Sequence, residues 1–330
     1  MIIRSATDQD HEGIIDLLRD SLGESTIPKS AALWQWKHQN SPFGPSYVLV
    51  AEEEGKLLGL RAFMRWQWHR DGKIYSTIRA VDTATHPAHQ GKGIFKKLTL
   101  QQAQLCKNDG VQFVFNTPND QSRPGYLKMG WVAQGKMPLK IKAIQPIQTI
   151  VGKLQKVDKY NDETTPVWNQ KWTFSLFDLV NQYKPDANRL TTVLSPDYIS
   201  WRYANNPLFK YQFFTDYKNY IIITRIKNYG FARELRIADF ILLNPTAKKE
   251  INKHIKQELG QFVKEAKISF VSMSGQQYKI NAAYLKWMGL LPSLQIGPIV
   301  TLKDLNMHEQ FPNLLKIKNW GYSLGDMELF

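Results

Sequence analysis

Two segments of this 330-residue chain recur in the same order and at nearly the same offset. Trp36-Lys-His-Gln-Asn-Ser-Pro42 returns as Trp201-Arg-Tyr-Ala-Asn-Asn-Pro207. Phe113-Val-Phe, followed by Tyr126-Leu-Lys-Met-Gly130, returns as Phe270-Val-Ser, followed by Tyr284-Leu-Lys-Trp-Met-Gly289. Matched segments in matched order indicate a duplicated fold unit. A chain of this length also accommodates two domains of ordinary size. The expected division is a first unit over residues 1–145, a connector over 146–189, and a degenerate second copy over 190–330. The connector is placed where Pro146, Pro166 and the polar run Asn161-Asp-Glu-Thr-Thr165 interrupt the pattern. With 43% hydrophobic and 12% aromatic residues, both units can bury a core, which excludes a disordered or collagen-like chain.

Within the first unit the pattern is of alternating short elements. Residues 1–5 suit an edge strand, and Thr7 or Asp8 offers a cap for a helix with Ile14, Ile15, Leu17 and Leu18 on one side. Ser30 caps a short aromatic helix that ends before Pro42. Strands over 47–51, 56–68 and 73–85 are punctuated by Glu54-Gly55 and Asp71-Gly72, both strong hairpin turns. A helix over 93–107, a compact strand over 111–116, a short helix over 120–129 and a strand from Trp131 complete the unit. The order β-α-α-β-β-β-α-β-α-β predicts an α+β fold: a mixed, mostly antiparallel central sheet flanked by helices.

The turn between the third strand and the long helix reads Gln90-Gly91-Lys92-Gly93-Ile94. A helix N-terminus presents unpaired N–H groups and the positive end of the dipole, so it can hold a pyrophosphate. The turn is neither a Rossmann fingerprint, which needs a third glycine in a βαβ unit, nor a P-loop, which needs Gly-Lys-Ser/Thr. It resembles the acyl-CoA turn of the GNAT acetyltransferase superfamily, Arg/Gln-x-x-Gly-x-Gly/Ala, here Gln90, Gly93 and Phe95. Phe95 departs from the small residue usual at the last position. The second GNAT signature is present as Asn119, Ser122 and Tyr126-Leu-Lys-Met-Gly130-Trp131. The element order is similar too, and the whole resembles bacterial double-GNAT N-acetyltransferases. The second half has no counterpart of the glycine turn.

The resemblance implies that acetyl-CoA is the co-substrate and that the amides of Gln90, Gly91, Lys92, Gly93, Ile94 and Phe95 hold its pyrophosphate. It implies a splay between the strands near Thr83 and Phe115, with a backbone N–H around Val81–Thr83 facing the thioester. Asn119 and Ser122 become cofactor candidates, with capping of the following helix as the other reading of Asn119. Tyr126 is the candidate general acid, because a phenol is protonated at neutral pH; its place in the second signature favours this over the alternative of an aromatic plug. Asp82 is the candidate base. Strand alternation puts it on one face with Ala80 and Ala84, where Arg79 or Arg61 could instead make it a structural ion pair. Asp326, Glu328 and the carboxylate of Phe330, after a strand-like Trp320–Leu324, are a further source of a base. No metal site is expected, since His86-x-x-His89 lacks a third ligand. A lone cysteine, Cys106, excludes a disulfide framework and gives no Cys–His nucleophile pair. The expected reaction is direct attack on acetyl-CoA by a small primary amine: an amino sugar, sugar nucleotide or amino acid. A tRNA-dependent aminoacyl transferase and a non-catalytic GNAT-like module are the alternatives.

The balance of 43 basic and 29 acidic residues, net +14, predicts an anionic partner. The resemblance implies that the coenzyme A phosphates meet Lys92, Lys96 and Lys97. The clusters Lys136/Lys140/Lys142 and Lys248/Lys249/Lys253/Lys256 stay unassigned, and no charge run suggests nucleic acid. The N-terminus is polar and no apolar run could span a bilayer, so a cytoplasmic location with no membrane partner is expected.

Overall fold

In a computed structural model of the protein, all residues are described except 24–27, 157–158, 162, 164, 166–170 and 328–330. The first half runs β1 (Ile2–Ser5), α1 (His11–Leu22), α2 (Ala31–His38), β2 (Tyr47–Glu53), β3 (Lys56–Arg70), β4 (Lys73–Thr85), α3 (Ile94–Asn108), β5 (Phe113–Asn116), α4 (Arg123–Lys128), β6 (Val132–Lys136) and β7 (Leu139–Ala143). Then come α5 (Pro146–Leu154), α6 (Phe174–Leu179), β8 (Thr191–Thr192), α7 (Pro196–Ile199), β9 (Gln212–Thr215), β10 (Tyr220–Asn228) and β11 (Arg233–Leu242). The chain closes with α8 (Lys248–Glu265), β12 (Phe270–Ser274), α9 (Gly275–Ile280), β13 (Ile299–Asp304), α10 (Phe311–Leu314) and α11 (Leu324–Met327). The hairpin turns are as expected: Glu54-Gly55 and Asp71-Gly72 both have positive φ, which matches the twist of the flanking strands. Ser30 caps α2, its Oγ accepting from the Leu33 amide at 3.2 Å. The connector is more regular than expected, since it holds α5 and α6. The expected strand at Trp320–Leu324 is absent: Trp320 makes a single bridge to Leu190, and α11 begins at Leu324.

The elements form two mixed, mostly antiparallel sheets flanked by helices. One has the order β1-β2-β3-β4-β5-β13-β6, with β8 added on β3; the other is β7-β12-β11-β10-β9. The parallel ladders are β4–β5 and β11–β12. Sheet membership crosses the boundary expected from sequence. Strand β13, from the second half, lies between β5 and β6 of the first sheet, and β7, from the first half, pairs with β12 of the second. The first half therefore lends β7 to the second sheet, and the second half lends β13 and the short β8 to the first, all antiparallel.

The repeated tryptophans meet at the join. Trp36 and Trp201 stack with centroids 5.0 Å apart and planes 17° from parallel. Trp36 Nε1 donates to the Trp201 carbonyl at 2.8 Å, and Trp201 Nε1 donates to the Trp36 carbonyl at 2.7 Å. A reciprocal contact between equivalent residues is the signature of local two-fold symmetry. The main core cluster gathers around this pair, with Trp66, Trp68, Phe115, Tyr198, Trp320 and Tyr322. The dense aromatics of the sequence are thus chiefly cement between the halves.

Candidate active site

Strands β4 and β5 are paired at Ile78–Val114 and Arg79–Phe115. β5 ends at Asn116, whereas β4 continues to Thr85, held on its other side by β3 as far as Gly59. The edge of β4 from Ala80 onward therefore faces an opening between the strands. That opening is a cavity of about 890 Å³ lined by residues 79–85, the Gln90–Lys96 turn, and Asn116–Asn119, Ser122 and Tyr126. The splay anticipated in the sequence is present.

A β-bulge lies at the mouth of the splay. Arg61 is opposite Thr83 and Phe63 is opposite Ala80, so Val81 and Asp82 together face Ala62. An extra residue on one strand breaks the alternation of side chains. Ala80 packs with Phe63, Cys106 and Tyr126, while Ala84 packs with Ile14, Leu17 and Trp34 beneath α1 and α2. The expectation that Ala80, Asp82 and Ala84 share one face is corrected: the bulge sends Asp82 to the α2 side.

On that side Asp82 meets two residues that sequence reasoning missed. Lys37 Nζ is 2.9 Å from Oδ2, and His38 Nε2 is 2.7 Å from the same oxygen. The expected partners, Arg61 and Arg79, bond elsewhere or not at all. Burial raises the pKa of Asp82, but the Lys37 charge and the His38 bond outweigh it, leaving the carboxyl well below the usual range. Burial lowers the pKa of Lys37, with Asp82 opposing. Burial likewise lowers that of His38. A neutral His38 then donates from Nε2 to the ionised Asp82, and Nδ1 accepts from Ser46 Oγ at 2.9 Å. The signal was in α2 itself, where Lys37 occupies the stripe position three after Trp34 and four after Leu33.

The glycine turn closes the far end of the cavity. Gly91 and Gly93 both have φ of +77°, and Gly93 is the N-cap of α3. A Cβ there would meet nothing within 4 Å among the described residues, so backbone conformation rather than crowding selects glycine. No described side chain caps α3, and its first turn has no acidic residue, so its leading amides are available to an anion. Lys92, Lys96 and Lys97 are exposed beside them.

Phe95, the departure from the family pattern, is accommodated by α4. A Cβ on Gly125 would lie 3.0 Å from the Phe95 ring, so a large residue on α3 is matched by glycine on α4. The Phe95 ring meets Tyr126 edge-on at 5.5 Å. Tyr126 is 3% exposed, flanked also by Trp131 at 5.2 Å and by the Arg61 guanidinium 5.4 Å from its ring centroid. That guanidinium is fully buried, with no hydrogen-bond partner among the described residues. Asn119 Oδ1 accepts from the Ser122 amide and Oγ, both at 2.8 Å, shaping the turn that starts α4.

At the vertex of the splay, buried Arg79 donates to the carbonyls of Asp326 and, at 2.9 Å, Met327. The end of the described chain is thereby tied to the cleft floor. Burial raises the Asp326 carboxyl to about 7, with nearby Asp239 adding to the effect. Glu328 and Phe330, considered as sources of a base, lie outside the described residues. His86 and His89 have rings 5.6 Å apart, and no group of three metal-ligating side chains occurs among the described residues.

Residues 2–133 match the family described as "Acetyltransferase (GNAT) domain". Two curated bacterial relatives align over 94 residues. One is the L-methionine sulfoximine/L-methionine sulfone acetyltransferase of Salmonella typhimurium, 32% identical, covering 28% of this chain and 53% of the relative. The other, the L-amino acid N-acyltransferase of Escherichia coli, is 31% identical with the same coverage. The chain thus spans about half the length of the curated relatives it matches. A GCN5-related N-acetyltransferase structure from Anabaena variabilis superposes with a TM-score of 0.60 at 15% identity, over 93% of this chain and 74% of that one. Residues 2–133 are thus similar to GNAT acetyltransferase domains, and the overall fold is that of the GNAT structures.

Proposed function

We propose that the protein transfers an acetyl group from acetyl-CoA to the primary amine of a small molecule, by direct attack with both substrates bound. One observation carries the reading: a single cavity joins an uncapped, lysine-flanked helix N-terminus to Tyr126 and Asp82 across an unpaired strand edge. Bound acetyl-CoA supplies the activated acyl group. The amides from Gly91 to Phe95 hold its pyrophosphate, and the free edge of β4 from Ala80 to Thr85 accepts its arm as an added strand. The bulge at Val81–Asp82 turns backbone amides, up to Thr83, toward the thioester oxygen. Tyr126 protonates the departing sulfur. Asn119 and Ser122 hold the turn that presents Tyr126.

Asp82 is ionised and backed by Lys37, so it draws an ammonium into the cleft and steadies the amine as solvent water takes its proton. Burial pushes the Cys106 thiol up to about 12, which supports direct transfer over an acyl-cysteine. Among the amine classes an amino acid is favoured, because the matching relatives are named for amino acid acylation. Calorimetric titration with acetyl-CoA tests the reading. Micromolar binding is expected, and Gly93→Asp should abolish it by placing a carboxylate and a strained φ at the phosphate turn. Unaltered affinity in that variant would refute the site.

A further inference from the structure

Helix α5 is mounted the wrong way round for a helix of a folded domain. Ile147, Ile150, Val151 and Leu154 recur at i, i+3, i+4 and i+7, a single apolar stripe that would ordinarily face a core. Here the helix buries none of its residues, and these four are 77, 60, 42 and 78% exposed. The opposite side faces the body. It carries Gly152, where an added Cβ would sit 3.2 Å from the Phe231 carbonyl, and Thr149, which bonds back to the Gln145 carbonyl. The smallest residue of the helix is turned in and the four large aliphatic ones are turned out.

A second exposed apolar group lies along the same strand. Leu290, Leu291, Leu294 and Ile296 all project into solvent. Their loop is fixed to β7: Leu139 and Leu294 exchange backbone hydrogen bonds, and Lys140 Nζ donates to the Leu291 carbonyl. Because α5 starts three residues after β7, both groups border one edge of the second sheet.

The surroundings are basic. Between Leu139 and Lys159 the sequence holds five lysines against one acid, Asp158; Lys153, Lys156 and Lys159 are exposed, while Lys140 is buried and Lys142 donates to the Trp287 carbonyl. Burial, then Lys140 and Lys256, lower the pKa of Lys142, which places a lysine of α8 on the same face. A second copy meeting this face about a two-fold axis would set these lysines against one another. A layer of anionic phospholipid satisfies both parts of the surface, its phosphates the lysines and its acyl boundary the apolar stripe.

We propose that α5 and the 290–296 loop dock the protein onto anionic phospholipid membrane, with Ile147, Ile150, Val151 and Leu154 entering the headgroup boundary. The absence of a membrane partner expected from the sequence concerned spanning segments. No helix among the described residues is long and apolar enough to cross a membrane, and a helix lying in the interface has no such requirement. The docking gives a role to the exposed Lys153, Lys156, Lys159 and Lys256, none of which borders the acetyl-CoA turn.

The test is co-sedimentation with vesicles of phosphatidylcholine alone, or mixed equally with phosphatidylglycerol, at physiological ionic strength. The protein should pellet with the mixed vesicles and stay in solution with phosphatidylcholine. The double variant Ile150→Asp/Leu154→Asp should lose about tenfold or more in vesicle affinity, while its circular dichroism and its calorimetric response to acetyl-CoA stay unchanged. No pelleting would overturn the proposal, and so would equal pelleting of the variant. A wild-type dimer that the variant dissociates in the ultracentrifuge would also overturn it, by assigning the stripe to a second copy.

Discussion

Replacing Asp82 with Asn should strand a buried charge. Lys37 is 3% exposed and Asp82 22%, so the ion pair is shielded from water chiefly on the lysine side. Removing one partner of a fully buried pair costs about 3–5 kcal/mol; the partial exposure of Asp82 places this case near 3 kcal/mol. For a chain of this size that corresponds to a fall in melting temperature of about 6 °C, at about 2 °C per kcal/mol. Lys37→Met/Asp82→Asn removes both charges and should melt within about 2 °C of the wild type, because a buried pair is often replaceable by neutral residues. The pH dependence follows from the same pair. The folded-state pKa of Asp82 is depressed, so its contribution is complete above the unfolded carboxylate value of about 3.9 and is lost as the pH falls through the folded value. Differential scanning fluorimetry across pH reads both effects. An Asp82→Asn protein as stable as wild type, or a double variant no better than the single, would refute the view that Lys37 is buried as a cation held by Asp82.

Tyr126→Phe should lower kcat about 100-fold with acetyl-CoA affinity unchanged by calorimetry, if the phenol acts on the departing sulfur as proposed, since the ring stays in place. Gly125→Ala pushes a methyl into the Phe95 ring and should destabilise the protein by about 1 kcal/mol in urea unfolding; Phe95→Leu in the same chain should restore it. Asp326 has a raised folded pKa, to about 7, so native stability should decline as pH rises from about 4 to 7 and then level off. In Asp326→Asn that decline should flatten, as read from melting temperatures across the range.

Local sequence signals set the first unit down nearly to the residue: the two positive-φ hairpin turns, the Ser30 cap, and β4 over 73–85 all depend on neighbours within a few positions. The glycine turn was legible for the same reason, since two glycines before an uncapped helix are a local pattern. Three features were not local. The bulge at Val81–Asp82 has no turn residue to announce it; it exists because β3 and β4 are paired at both ends in registers that differ by one. The partners of Asp82 come from α2, more than forty residues upstream, and only the position of Lys37 on an apolar stripe hinted that it was buried. The strand exchange is a property of two units and cannot be seen in either one.

That exchange bears on how the cleft is built. β5 forms one wall of the splay, and its outer neighbour is β13, contributed by the half that lacks a glycine turn. Thr301 Oγ1 of β13 donates to Asn116 Oδ1, at the point where β5 leaves β4. Arg79, on the opposite wall, is held by carbonyls of α11, from the same half. Both strands that diverge to make the opening are therefore braced at their vertex by the second unit. The residues after 190, which hold no counterpart of the glycine turn, therefore bear on the opening directly, because they fix the point at which β4 and β5 part.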